Sequence, residues 1–382
     1  MQVAKRFAPF AQTIFTEITN LANEHGAINL GQGFPNFDGP GFIKQAAAAA
    51  MDAGHNQYAR MWGVPLLNEA IAAKYAAAGI PADPDANITV TAGCTEALAA
   101  TFLGLVNPGD EVILIEPYYD SYPACVAIAG AVPRYVTLRA PDFALPEAEL
   151  RAAFSDRTRA IVVNTPHNPT GRVLSLQELG LIAELCVAHD TIAIADEVYE
   201  HMVYEGEHRS LATLPGMADL TVTLSSLGKT FSLTGWKIGW AVAAPDLTAA
   251  IRKAHQFLIF AVAAPLQHGA AAALGAPPSY YEDLTAAYRS RRDLLCEGLD
   301  SAGLDVFVPE GTYFVLADHS AFGFEDDVAF VRHLITEIGV AAIPPSAFYS
   351  NKSEGASLVR FAFCKDEATL KEAVDRLGSL RR

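Results

Sequence analysis

Lys229 stands in the stretch TVTLSSLGKTFSLTGWKIGWAVA at 221–243, between small hydroxyl residues and repeated glycines. The alternating Val222 and Leu224 predict a strand running into a Ser-Ser-Leu-Gly turn, and glycine permits the tight backbone that presents a side chain at a strand end. Gly228-Lys229-Thr230 imitates the end of a P-loop, but that motif needs a glycine where Thr223 stands. Two readings stay open for this lysine taken alone: an amine that forms a Schiff base with a carbonyl cofactor, or a surface lysine beside a turn.

Other chemistry-bearing residues stand at the ends of other apolar runs. Asp196 follows the fully apolar Ile192-Ala193-Ile194-Ala195, where a carboxylate is costly unless paired. It would keep a ring nitrogen protonated, with Tyr199 able to bond a phenolic oxygen of the same ring, or it would cap a helix. The turn at 164–171, NTPHNPTG, offers Asn168 as a donor, and Tyr119 in EPYYDSY is suited to stacking on a planar ring or to a core. Gly93-Cys94-Thr95 opens a helix whose first N–H groups can hold an anion, although an ordinary helix start explains it too. The same strand end delivers Ser226, and eight residues after Lys229 stands Lys237, a second cation near an anion. His167, His201 and His268 pair with no nucleophile, and no metal-ligand cluster is visible in the sequence.

The elements that must position these residues form a repeating pattern. Short apolar strands are expected at 88–91, 111–115, 160–163, 191–195 and 221–224, mostly separated by helical stretches such as 96–106 and 176–189. That alternation predicts an α/β fold with a mostly parallel sheet between helices, which binds ligands beyond the carboxyl ends of its strands. Residues 1–40 mix a helical pattern (Ile14, Ile18, Leu21) with the loop NLGQGFP and read as an arm over something larger. Gly31 and Gly33 begin a GxG, but Asn36 stands where the dinucleotide fingerprint needs glycine, so a nicotinamide oxidoreductase is unsupported.

A chain of 382 residues exceeds the size of one core and predicts two domains. The expected division is 1–45 (arm and part of a small domain), 46–285 (large domain) and 286–382 (small domain). A formal charge of -16 repels phosphate backbones and argues against nucleic acid as a partner, a DNA-bound regulator included. Five cysteines without CxxC spacing, no signal-peptide pattern and no apolar run of membrane length predict a cytoplasmic chain with reduced thiols.

Taken in order, anion cup, stacking tyrosine, Asn donor, strand-end Asp and amine lysine resemble the class I and II aminotransferases, pyridoxal-phosphate enzymes of fold type I. The carriers are NTPHNPTG (164–171), ADEVYEHMVY (195–204) and SSLGKTFSLTGWKIGW (225–240), within a likeness running from GQGFPNF (31–37) to VRFAFCKDE (359–367). GQGFP and NQYAR set it beside kynurenine/glutamine transaminases and bacterial methionine aminotransferases. The resemblance implies a large domain with the parallel sheet and a smaller α+β domain. It makes Lys229 the Schiff-base lysine, Asp196 the partner of the pyridinium nitrogen, and Tyr199 and Asn168 partners of the cofactor's O3′. Tyr119 would stack on the ring, while Gly93, Cys94, Thr95, Ser226 and Lys237 would hold the phosphate with Tyr58 from a second subunit of a homodimer. Arg360 would bind the substrate carboxylate near Asn168, with Gly33 and Phe15 bordering the side-chain pocket. The implied reaction is ping-pong transfer of the amino group of an L-amino acid (methionine, aromatic or glutamine) to a 2-oxo acid. β-Elimination of cysteine conjugates, a C–S lyase activity, is the alternative on the same site.

Overall fold

The computed structural model describes residues 4–8, 10 and 13–380. Seven strands form the main sheet: β1 (Ile88–Thr91), β2 (Glu111–Glu116), β3 (Val132–Thr137), β4 (Thr158–Asn164), β5 (Ile192–Asp196), β6 (Thr221–Ser226) and β7 (Gly239–Ala243). Their order is β1-β7-β6-β5-β4-β2-β3. Neighbours pair in parallel except β7, which runs antiparallel to both β6 and β1. The five expected strands are all present, within one or two residues at their ends. β3 and β7 are additions to that expectation.

Every residue of β1, β2, β5 and β7 is buried, as expected where both faces of the sheet are covered. β3 is different. It lies at the sheet edge with alternating exposure, so Pro133 and Arg134 are tolerated there. Two apolar clusters cover the faces of the sheet, one built on Ile113, Ile161 and Ala193 and the other on Leu114, Val162 and Ile194. Adjacent residues of each strand thus serve opposite faces.

Among the helices, α1 (Ile14–His25) starts at Thr13, whose side chain accepts from the Thr16 N–H, and stops at Gly26 in the left-handed region. α2 (Gly93–Leu105) follows β1. α3 (Leu176–His189) matches its expected range and carries a full capping box between Ser175 and Glu178. α4 (Pro278–Ser301) is a 24-residue helix that leads to the C-terminal strands β8 (Asp305–Phe307), β9 (Phe314–Asp318) and β10 (Leu358–Ala362). These three pair antiparallel in the order β10-β9-β8. The boundary expected at 285/286 falls inside α4.

The start of the chain packs on this C-terminal part. Ile28–Asn29 pairs in parallel with Val340–Ala341, and Ile18, Ala22 and Leu30 share an apolar cluster with Leu295, Phe330 and Phe361. Among the described residues no helix is long and apolar enough to cross a membrane.

Candidate active site

The strand directions gather the functional side chains at one edge. β6 ends at Ser226 opposite Gly239, the start of β7, and Gly239 in turn pairs with Thr91 at the end of β1. The carboxyl ends of β1, β4, β5 and β6 and the beginning of β7 therefore share one rim. Gly239 makes this possible, since a Cβ there would lie 2.6 Å from the Gly93 carbonyl carbon and 2.7 Å from the Cys94 nitrogen.

Lys229 sits in the single helical turn Leu227–Thr230 directly after β6. Its Nζ donates to the Tyr313 hydroxyl at 2.9 Å and stands 5.6 Å from the centre of the Tyr199 ring. Burial pulls the amine below the usual lysine range, against the opposing pull of Cys364, Asp196 and Cys94. A lysine so shifted holds more free base at neutral pH and is a better nucleophile.

Asp196 closes β5 beside Asn164 at the end of β4. Tyr122 Oη donates to its Oδ2 at 2.8 Å, and the Val198 N–H reaches its Oδ1 at 3.4 Å. No regular helix follows Asp196, so the helix-cap alternative does not apply. Burial raises its carboxyl pKa, and those hydrogen bonds offset the rise only in part. Both donors are neutral, so a cationic N–H brought against the carboxylate would restore its charge.

Asn168 is oriented from both sides. Its backbone N–H donates to Asn164 Oδ1 at 2.8 Å, and its own Oδ1 accepts from Arg360 Nη1 at 3.2 Å, which leaves Nδ2 free to donate elsewhere. Arg360, at the centre of β10 and 1% exposed, also donates from Nη2 to the Gly31 carbonyl at 2.9 Å. Phe314, Phe348 and Phe15 lie around the guanidinium at 4.3, 5.1 and 5.3 Å. Burial lowers its pKa to about 10, and its Nε has no hydrogen-bond partner among the described residues. A buried guanidinium with an orphaned donor fits a carboxylate ligand.

At the start of α2 the Ala92 cap supplies no side-chain acceptor, and Gly93 adopts φ +73°. A Cβ on Gly93 would sit 3.2 Å from Lys237 Nζ, so that ammonium lies over the uncapped helix end. Uncapped N–H groups with a cation above them make an anion cup.

One cavity of about 260 Å³ is lined by every site residue read from the sequence except Tyr58. Tyr58 is 88% exposed and packs edge-on against Phe260 at 5.6 Å, away from that lining. Tyr119 stands on the wall, its ring edge-on to Tyr122 at 5.7 Å. Among the residues of this arrangement that carried no role in the sequence reading are Tyr122, Asn164 and Tyr313. The first two lie inside motifs already noticed, whereas no local pattern marks Tyr313.

The aminotransferase class I and II model matches residues 25–377, and the chain belongs to that family. The solved structure of N-succinyldiaminopimelate aminotransferase from Mycobacterium tuberculosis superposes with a TM-score of 0.97 at 47% identity, covering all of both chains. The methionine aminotransferase of Escherichia coli is 43% identical over 96% of each chain. The kynurenine–oxoglutarate transaminase of Dictyostelium discoideum is 39% identical over 99% of this chain and 96% of its own. The protein is an aminotransferase of fold type I, and its substrates are an amino acid and a 2-oxo acid.

Proposed function

We propose that this aminotransferase holds pyridoxal phosphate in the cavity and takes amino groups from methionine, aromatic amino acids or glutamine in ping-pong order. One observation carries the cofactor reading: the Lys229 amine, the Asp196 carboxylate and the Lys237-covered helix start line the same small cavity. When bound, pyridoxal phosphate supplies an electron sink for negative charge at the substrate Cα. Lys229 is the covalent anchor, and its amine moves the proton at that carbon. Asp196, kept in place by Tyr122, holds a proton on the ring nitrogen. Tyr199 and Asn168 Nδ2 bond the phenolic oxygen, and Tyr119 stacks on the ring. Gly93, Cys94, Thr95, Ser226 and Lys237 receive the phosphate, together with Tyr58 of a second copy. Arg360 orients the substrate carboxylate, while Phe15 and Gly33 border the side chain and exclude water.

The donor reading rests on charge. Among the described residues the cavity lining holds three cations, Lys229, Lys237 and Arg360, and each already has a task. The wall beyond Arg360 is aromatic, which favours an uncharged side chain over N-succinyldiaminopimelate with its further carboxylates. A panel of donors with two or three 2-oxo acids tests this. Methionine is expected to exceed N-succinyldiaminopimelate in kcat/KM by about tenfold or more, and the reverse ranking would refute it. Scoring pyruvate and ammonia from a cysteine conjugate in the same assays measures the C–S lyase alternative.

A homodimer in the cytoplasm belongs to the same proposal. The exposed Tyr58 and Phe257, at 88% and 85%, support a covering second copy, and five free cysteines support a reducing compartment. So does the division at 45/46 and 285/286, for which the apolar cluster shared by α1 and the C-terminal strands is the support.

A further inference from the structure

Tyr313 lies just before β9, fully buried, with its ring fixed edge-on to Tyr199 at 5.2 Å and stacked on Tyr288 at 6.0 Å. Its hydroxyl meets the Gly33 carbonyl oxygen at 2.6 Å and Lys229 Nζ at 2.9 Å, and it also interacts with the Tyr199 hydroxyl. A carbonyl only accepts. The single phenolic hydrogen is therefore committed to Gly33, and the phenol oxygen meets Lys229 only as an acceptor.

The Gly33 end of this contact is itself fixed. A Cβ on Gly33 would come within 2.6 Å of the Phe314 ring, so the loop is pressed against β9. Two residues earlier the same loop receives Arg360 Nη2 on the Gly31 carbonyl. One three-residue segment thus sets both the arginine and, through Tyr313, the lysine amine.

We propose that Tyr313 is a positioning residue: its Gly33-locked phenol oxygen holds the Lys229 amine toward the Arg360 side of the cavity whenever that amine carries no other group. This rests on the reading of Lys229 as the amine that moves the Cα proton. An amine left to rotate about four carbon–carbon bonds would spend less time aligned with that proton, and misalignment is costly to proton transfer. The groups facing the amine are Tyr313, Tyr199, Asp196, Cys94, Cys364 and Arg360, so removing the phenol oxygen takes away one acceptor of its ammonium form and the contact with the Tyr199 hydroxyl, and leaves the charges in place.

The test is Tyr313→Phe, read in two ways. In the cofactor-free protein, modification of Lys229 by trinitrobenzenesulfonate is followed against pH by peptide mass. Losing an acceptor disfavours the ammonium, so the midpoint is expected to fall by roughly half to one pH unit. In the holoenzyme, kcat with methionine is expected to fall about tenfold while KM changes less than about twofold. An unmoved midpoint overturns the contact, and a moved midpoint with unchanged kcat overturns its role in turnover. Should Tyr313→Phe fail to fold, 3-fluorotyrosine at 313 keeps the ring but weakens the oxygen as acceptor. It is expected to lower the midpoint by a smaller amount, and no change would again overturn the contact. If the wild-type protein proves not to take up pyridoxal phosphate, the site reading fails, whereas the labelling midpoint still decides the contact.

Discussion

The floor of the cavity and its substrate-facing wall are assembled in different ways. Asp196, Ser226 and Lys229 stand on or just past two adjacent parallel strands, and Gly93 follows a third that points the same way. Their positions follow from sheet geometry, and Asp196 is announced by an apolar run that stops abruptly at a polar residue. The wall joins Phe15 from α1, Gly31 and Gly33 from a loop, Phe314 from β9 and Arg360 from β10. Its defining contact, Arg360 to the Gly31 carbonyl, spans 329 residues. The floor is therefore set by sheet geometry, whereas the wall depends on contacts between distant parts of the chain.

The wall can be altered without touching the floor. Arg360→Lys removes the planar fork that carries both the Asn168 and Gly31 contacts and the free Nε. A loss of about 1.5–3 kcal/mol, a roughly 10- to 150-fold fall in kcat/KM, is expected for every amino donor. Cofactor absorbance should persist, because the floor is untouched. A variant that also fails to retain the cofactor would show that floor and wall are one unit.

A smaller effect sharpens the account of the floor. His167, next to Asn168, is fully buried with Nδ1 on Thr170 Oγ1 at 2.8 Å, and burial, aided by Arg172, depresses its pKa to about 3. The unfolded chain takes up a proton near pH 6.5 that the folded chain refuses until about pH 3. This contribution is therefore complete above pH 6.5 and is lost as pH falls through that window, at up to about 1.4 kcal/mol per pH unit. Urea unfolding between pH 7 and 4 should show a shallower decline in His167→Gln than in the wild type, and parallel curves would exclude the assignment.

The two regions also differ in how far the sequence revealed them. Strand ends were legible because the buried strands are mostly apolar until they reach the rim, small hydroxyl residues such as Thr89 and Thr223 being buried exceptions. β3 escaped notice because an edge strand carries Pro133 and Arg134, and β7 because Gly239 and Trp240 continue the lysine segment without a break in composition. Arg360 came from resemblance alone. Its partners lie at the opposite end of the chain, and periodicity cannot report a contact of that range. Tyr313 was invisible for the same reason: what gives it meaning is the carbonyl of Gly33 and the amine of Lys229, neither of which is near it in sequence.

On the proposed function, Lys229 carries the cofactor. Borohydride reduction of the protein loaded with pyridoxal phosphate, followed by peptide mapping, tests it directly. A single phosphopyridoxyl adduct is expected on the peptide containing Lys229, and none in Lys229→Ala. An adduct confined to another lysine, or an unmodified Lys229 in protein that has demonstrably bound the cofactor, would contradict it.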